Sequence, residues 1–194
     1  MIELKAQRYL TPLTDCLGKL IARGGISATI ISVAGLLITS IGAIFVATGY
    51  LLTGSLLVGI GASLDAIDGA VARESGSSSA PGAILDSICD RTGETFMWAG
   101  LAYYLAGEPL LVTLAVLSLG FSVMTSYLRA RAEALGIDGR RGWMARPERV
   151  ILYVLGVASG LFLLMLWLMV ALNFITVLQR LYKICLAQRT SRAS

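Results

Sequence analysis

The chain of 194 residues contains no histidine. That absence excludes a Ser-His-Asp triad, imidazole acid–base catalysis and histidine-bound zinc. A metal held here must be a hard cation on oxygen ligands, which means Mg²⁺, Mn²⁺ or Ca²⁺. Cysteine is sparse: Cys16, Cys89 and Cys185 lie far apart, without the spacing of a metal site or a disulfide framework. Charge is scarce as well, at 14% of residues against roughly a quarter in a soluble domain. With 56% hydrophobic residues and a mean hydropathy of +0.77, the chain reads as one all-α integral membrane domain over 1–194. The first 23 residues lack a compact apolar h-region, because Lys5, Arg8, Lys19 and Arg23 are scattered through them. No cleavable signal peptide is expected.

Where charge vanishes, spans are expected. Residues 24–64 carry none over 41 positions, enough for two spans of roughly 20 residues with a turn at 47–55. A third span is expected over 81–105 and a fourth over 109–128. A fifth uncharged stretch, 150–179, has 30 residues, long for one span and short for two. The sixteen Lys and Arg fall into four groups: the N-terminal segment, Arg73 with Arg91, the 129–149 loop, and the tail from Arg180. The positive-inside rule places all four at the cytoplasmic face. One helix across 150–179 would separate the last two groups, so a hairpin is expected, with its turn near 167–173. Six transmembrane helices over 24–190, both termini cytoplasmic, follow; five spans is the alternative. Ahead of them, Thr11-Pro12 reads as N-cap and first helical residue. Leu13, Cys16, Leu17, Leu20 and Ile21 then recur at helical spacing, off the face of Lys19 and Arg23. Residues 1–23 are therefore expected to include an amphipathic juxtamembrane helix in the interface.

Carboxylates are costly in lipid and usually mark function. Asp65 and Asp68 are i, i+3 at the cytoplasmic end of span two; Asp86 and Asp90 are i, i+4 at the start of span three. Each pair shares a helix face, and antiparallel neighbours would let the faces meet. Four carboxylates together need cations, and only Arg73 and Arg91 are at hand, so a pair of divalent ions balances them better. Two metals about 4 Å apart clamp the attacking and leaving oxygens of phosphoryl transfer. Gly69 and Gly82 leave room for close approach, and Arg73 is placed to hold a phosphate. Mere topology-setting is the bland reading, but acids contribute little to topology.

The run Asp65-x2-Asp68-Gly69-x2-Ala72-Arg73-x8-Gly82-x3-Asp86-x3-Asp90 resembles, position for position, the signature of the CDP-alcohol phosphotransferase family. The resemblance implies two divalent metals, Mg²⁺ or Mn²⁺, and transfer of a phosphatidyl group from CDP-diacylglycerol to an alcohol with release of CMP. By it, Asp65 and Asp86 bridge the metals, Asp68 binds one, and Asp90 binds the other and acts as general base. Gly69, Arg73, Ser79 and Gly82 would face the CDP-lipid. Thr29 and Ser32 resemble the family's polar positions beside the nucleotide, although the residue types differ from the usual ones.

The family's acceptors range from glycerol phosphate and serine to inositol and inositol phosphate. Arg129 and Arg131 end span four, and Arg146-Pro147-Glu148-Arg149 opens span five, where a helix N-terminus favours anions. Arg131, Arg149 and Arg180, with Arg129 nearby, are expected to converge on an acceptor phosphate. The stretches "RARAEA", "RPER" and "QR" resemble prokaryotic phosphatidylinositol-phosphate synthases, with Arg129 standing where Lys is usual. Inositol phosphate is thus the expected acceptor. Glycerol 3-phosphate, an archaeal ether-lipid donor, or a small transporter are the alternatives. Transporters place their acids near the midplane of repeated halves, whereas these sit at one rim. Gly156-x3-Gly160 would pack spans within one subunit or join two. The resemblance implies a homodimer; no nucleic-acid partner is expected.

Overall fold

The computed structural model describes residues 27–74, 80–139 and 142–193, the side chains at 65–66, 72–74 and 189–193 excepted. The amphipathic helix expected within 1–23 lies outside the described residues. Every regular element among those described is an α-helix: α1 Ala28–Ala47, α2 Leu51–Glu74, α3 Ala80–Tyr104, α4 Pro109–Ala134, α5 Arg146–Ser159 and α6 Phe162–Ala193.

The ends follow local chemistry. Ser27 caps α1 by accepting from the Ile30 amide, and Pro109 and Pro147 sit in the first turns of α4 and α5, where no amide proton is needed. Hydroxyls inside the helices bond to their own backbone, as Ser40 does to the Leu36 carbonyl, Ser63 to Gly59 and Ser87 to Ala83. That leaves few polar groups turned outward, as an apolar surround demands. Large apolar side chains are instead exposed all around, including Ile30, Leu37, Ile44, Leu56, Ile60, Val116, Leu164 and Trp167. A soluble protein rarely exposes so much contiguous apolar surface.

Helices α1, α2, α4 and α6 are long and apolar enough to cross a membrane. Helix α3 is long enough but carries Asp86, Asp90, Arg91 and Glu94 in its first half. Helix α5 has 14 residues, about 21 Å, short of a hydrocarbon core. The reason is a turn placed earlier than expected. The hairpin in 150–179 reverses at Gly160, which caps α5 in the left-handed region at φ 70°, and not near 167–173. Most of that uncharged stretch therefore belongs to α6, which continues past Arg180. Gly156 lies against Met165 of α6, so the Gly156–Gly160 motif serves a fold within one chain: one glycine packs the hairpin and the other turns it.

Packing divides the bundle. Helices α1 and α2 run antiparallel with glycines in register, Gly35 against Gly61 and Gly42 against Gly54. A Cβ at Gly61 would stand 2.6 Å from the Gly35 carbonyl oxygen, so side chains there are sterically excluded. Gly100 of α3 meets the Ala43 backbone of α1 in the same way. The main core lies further along α3, where Trp98, Leu101, Tyr153, Val157, Met165, Leu166 and Met169 bury one another. Trp98 and Tyr153 meet edge to face at 5.5 Å.

Candidate active site

Helices α2 and α3 bring acids to one end of the bundle. Asp68 lies in the last turns of α2 and is buried. Ser32, near the start of α1, donates to Asp68 Oδ2 at 2.5 Å and stands against the acid rather than apart from it. Asp86 and Asp90 stand one turn apart on α3, and both, with Asp68 of α2, act electrostatically on Cys89 between them. The fourth, Asp65, is one helical turn before Asp68 on α2; its side chain lies outside the described residues. So do the side chain of Arg73 and the whole of Ser79. Thr29 is exposed at the first turn of α1, and Gly69 and Gly82 sit at the facing ends of α2 and α3.

Asp90 has a cationic partner that sequence reading did not assign. Arg146 Nη1 lies 2.5 Å from Asp90 Oδ1, with Arg91 more loosely placed at 4.0 Å from Oδ2. The signal was present in "RPER": Arg146 and Arg149 are i, i+3 and so share a face of α5. A small cavity of about 20 Å³ lies between Ser32, Thr39, Cys89, Asp90 and Arg146. That is far below the ~300 Å³ of a ligand pocket, so this cavity is not itself a nucleotide pocket.

The donor set is oxygen alone: Asp68, Asp86 and Asp90 from two helices, with Asp65 on the same end of α2. That chemistry fits Mg²⁺ or Mn²⁺ and no soft metal. Among the described residues no group of three ligands is already closed on one point as in a finished metal cage. Ser32 and Arg146 hold Asp68 and Asp90 instead.

One turn deeper lies a second polar cluster. Arg149 is 3% exposed; its Nε donates to Glu94 Oε1 at 3.0 Å and its Nη1 to Thr125 Oγ1 at 3.2 Å. Arg180, also buried, donates from Nη1 to the Thr125 backbone carbonyl. The two arginines expected to share an anion thus meet at one residue of α4. The loop before α5 closes over them: Gly142 packs on Thr176 and Arg180, and the Met144 amide donates to Thr176 Oγ1 at 3.0 Å. Arg129 is engaged elsewhere, in an exposed pair with Glu133 at 3.0 Å, and Arg131 is exposed in the last turn of α4. Neither is brought to Thr125 by a contact among those described. Glu94 was legible as i+4 from Asp90; Thr125 was not, because it stands in an uncharged span like any other small hydroxyl.

Acids at helix ends around a hard-metal donor set, beside a buried arginine pair, make a phosphoryl-transfer site more natural than a midplane transport site. Known proteins agree. The phosphatidylinositol phosphate synthase of Mycolicibacterium smegmatis is 32% identical over 198 residues, covering 94% of this chain and 88% of that protein. The archaetidylinositol phosphate synthase of Methanothermobacter thermautotrophicus is 32% identical, covering 90% and 88%. Crystal structures of the Mycobacterium tuberculosis phosphatidylinositol phosphate synthase superpose closely. The one with CDP-DAG bound gives a TM-score of 0.79 at 30% identity, covering 89% of this chain and 94% of that one. The one in complex with manganese and citrate gives 0.78 at 30% identity, covering 88% of each. Residues 26–180 match the family model of CDP-alcohol phosphatidyltransferase, and the chain, a multi-helix membrane protein, belongs to that family.

Proposed function

We infer that this protein transfers the phosphatidyl group of CDP-diacylglycerol to inositol phosphate, giving phosphatidylinositol phosphate and CMP. The observation that carries the choice of acceptor is the buried meeting of Arg149 and Arg180 on Thr125, with Arg149 one helical turn along α5 from the Arg146 that pairs with Asp90. Two buried guanidiniums suit a phosphate, which gains charge-assisted hydrogen bonds from them. A neutral polyol would leave them poorly paired in a desolvated site.

Asp65, Asp68, Asp86 and Asp90 would hold two divalent ions, Mg²⁺ or Mn²⁺, which when bound neutralise charge on the donor pyrophosphate and polarise it. The relative crystallised with manganese supports that metal class. Asp90 takes the proton of the acceptor hydroxyl, and the freed oxygen attacks the phosphatidyl phosphorus as CMP leaves. Arg73, Gly69, Gly82 and Ser79, with Ser32 and Thr29 across the cleft, line the path of the donor headgroup. Arg149 and Arg180 hold the acceptor phosphate, with Arg129 and Arg131 as an outer basic collar at the end of α4.

We place the site at the cytoplasmic face, with six spans and both termini inside. Alternating helix directions through α1–α6 support this, as does the placing of Arg91, Arg129, Arg131, Arg146, Arg149 and Arg180 toward one end of their helices. Cysteines introduced at Tyr50 and Glu108, both exposed at the turns, should label from outside, and one at Asp138 only from inside. The homodimer implied by the family resemblance would be read from the mass of the solubilised particle. The deciding experiment is an acceptor panel with labelled CDP-diacylglycerol and the ether-linked CDP-archaeol: inositol phosphate, glycerol 3-phosphate, serine and free inositol. Inositol phosphate should be consumed and free inositol should not. Preference for glycerol 3-phosphate would overturn the acceptor and leave the family untouched.

A further inference from the structure

Helices α3 and α5 run parallel without touching along their backbones. Among the described residues, no Cα of one lies within 8 Å of a Cα of the other. Long side chains span the gap in three rungs: Asp90 to Arg146, Glu94 to Arg149, and the Met97 carbonyl to the Tyr153 hydroxyl at 3.0 Å. The outer rung belongs to the acid cluster and the inner rung to the hydrophobic core. In the middle rung Arg149 is assigned to the acceptor phosphate, but Glu94 has no role yet.

Its chemistry is unusual. Glu94 is 6% exposed, yet only Oε1 is engaged; Oε2 is buried and has no hydrogen-bond partner among the described residues. A half-satisfied buried carboxylate is a costly way to join two helices, and an apolar pair of the same volume would serve folding at least as well. What Glu94 does provide is direction. It takes the Nε–H of Arg149 while Thr125 takes one Nη1–H, which fixes the guanidinium plane from two sides. The remaining Nη protons then point in one set direction, and a planar fork binds phosphate well only when so aimed. Glu94 is also one turn below Asp90 on the same face of α3. The aim of Arg149 is thus referenced to the helix that carries the general base.

We propose that Glu94 is a positioning residue that locks the guanidinium of Arg149 so that its free edge receives the acceptor's phosphate at a fixed distance from Asp90. This rests on the reading of Arg149 as an acceptor-phosphate ligand. The lock works through geometry: what matters is an oxygen at the reach of a glutamate, and full negative charge would if anything oppose an incoming phosphate.

Two conservative variants test it, each retaining a polar partner for Arg149 so that the fold survives. Glu94→Asp keeps the charge and shortens the reach; Glu94→Gln keeps the reach and removes the charge. Steady-state kinetics with inositol phosphate varied should show the acceptor KM of E94D raised about tenfold, the worth of one well-placed charge-assisted bond. That of E94Q should stay near the parent value. The CDP-diacylglycerol KM and the melting temperature should move little in both. The reverse order, with E94Q impaired and E94D normal, would overturn the proposal in favour of simple charge balance. Donor and acceptor KM rising together with a falling melting temperature would overturn it in favour of a packing role. Arg149→Ala separates the two layers. If R149A leaves the acceptor KM unchanged, the acceptor-site reading itself fails. If R149A raises it and E94D does not, only the role of Glu94 fails.

Discussion

Two sides of α3 are built on opposite principles. Toward α1, and through it α2, contact is backbone on backbone, with glycines at 35, 61, 42, 54 and 100 admitting no side chain between the helices. Toward α5, no backbones approach among the described residues; the polar tips of Arg146, Arg149 and Tyr153 reach across, and Trp98 packs on the Tyr153 ring. The first kind of joint is stiff, because close-packed backbones have no rotamers to exchange. The second can be retuned by one side chain. The aspartates proposed as metal ligands ride on the stiff side, and the arginines proposed for the acceptor ride on the side-chain struts. A site whose chemistry is common to a family and whose acceptor varies is well served by that division.

Breaking the stiff side at its functional end should have the largest effect. Asp90→Asn should lower turnover by about 10²- to 10⁴-fold, the usual cost of losing a general base, and by more if a metal is lost with it. Chelation should abolish turnover in the parent protein. A turnover assay at saturating substrates, with and without EDTA, checks both. Persistence of activity in chelator would remove the two-metal reading. Next comes the glycine joint itself. Gly61→Ala drives a methyl group into the Gly35 carbonyl and Thr39, an overpacking worth about 1–3 kcal/mol. Its melting temperature in detergent should fall, with donor and acceptor kinetics degrading together because α2 carries Asp68.

The strut side should respond more selectively. Arg149→Ala should raise the acceptor KM about tenfold, equivalent to about 1.4 kcal/mol, with little change for CDP-diacylglycerol. Arg149→Lys should recover only part, since a point charge cannot replace a fork held by both Glu94 and Thr125. The smallest effect is expected from Tyr153→Phe, which removes one hydrogen bond to the Met97 carbonyl and keeps the ring against Trp98. A stability loss of about 1 kcal/mol, seen as a modest shift in melting temperature with unchanged KM values, would mark that rung as structural. A changed acceptor KM in Y153F would instead extend the functional struts into the core.

Membrane residence, the all-helical class and the aspartate motif were open to reading from the residues in order, because each depends on local facts. Uncharged runs of span length, prolines at first turns and carboxylates at i, i+3 and i, i+4 need no knowledge of what lies across the bundle. The turn of the last hairpin was misplaced for a related reason. Leucine-rich sequence on both sides hides where a helix stops, and only packing of Gly156 on Met165 selects Gly160 over residues further on. Partnership was what the tertiary structure alone decided. That Asp90 faces Arg146, that Glu94 rather than a substrate group takes Arg149 Nε, and that Arg149 and Arg180 share Thr125 depend on pairs 24 to 56 positions apart in sequence. Helical periodicity fixes which residues share a face. Only the docking of one helix against another fixes which face it meets, and between α1 and α2 that docking is set by the glycine joint.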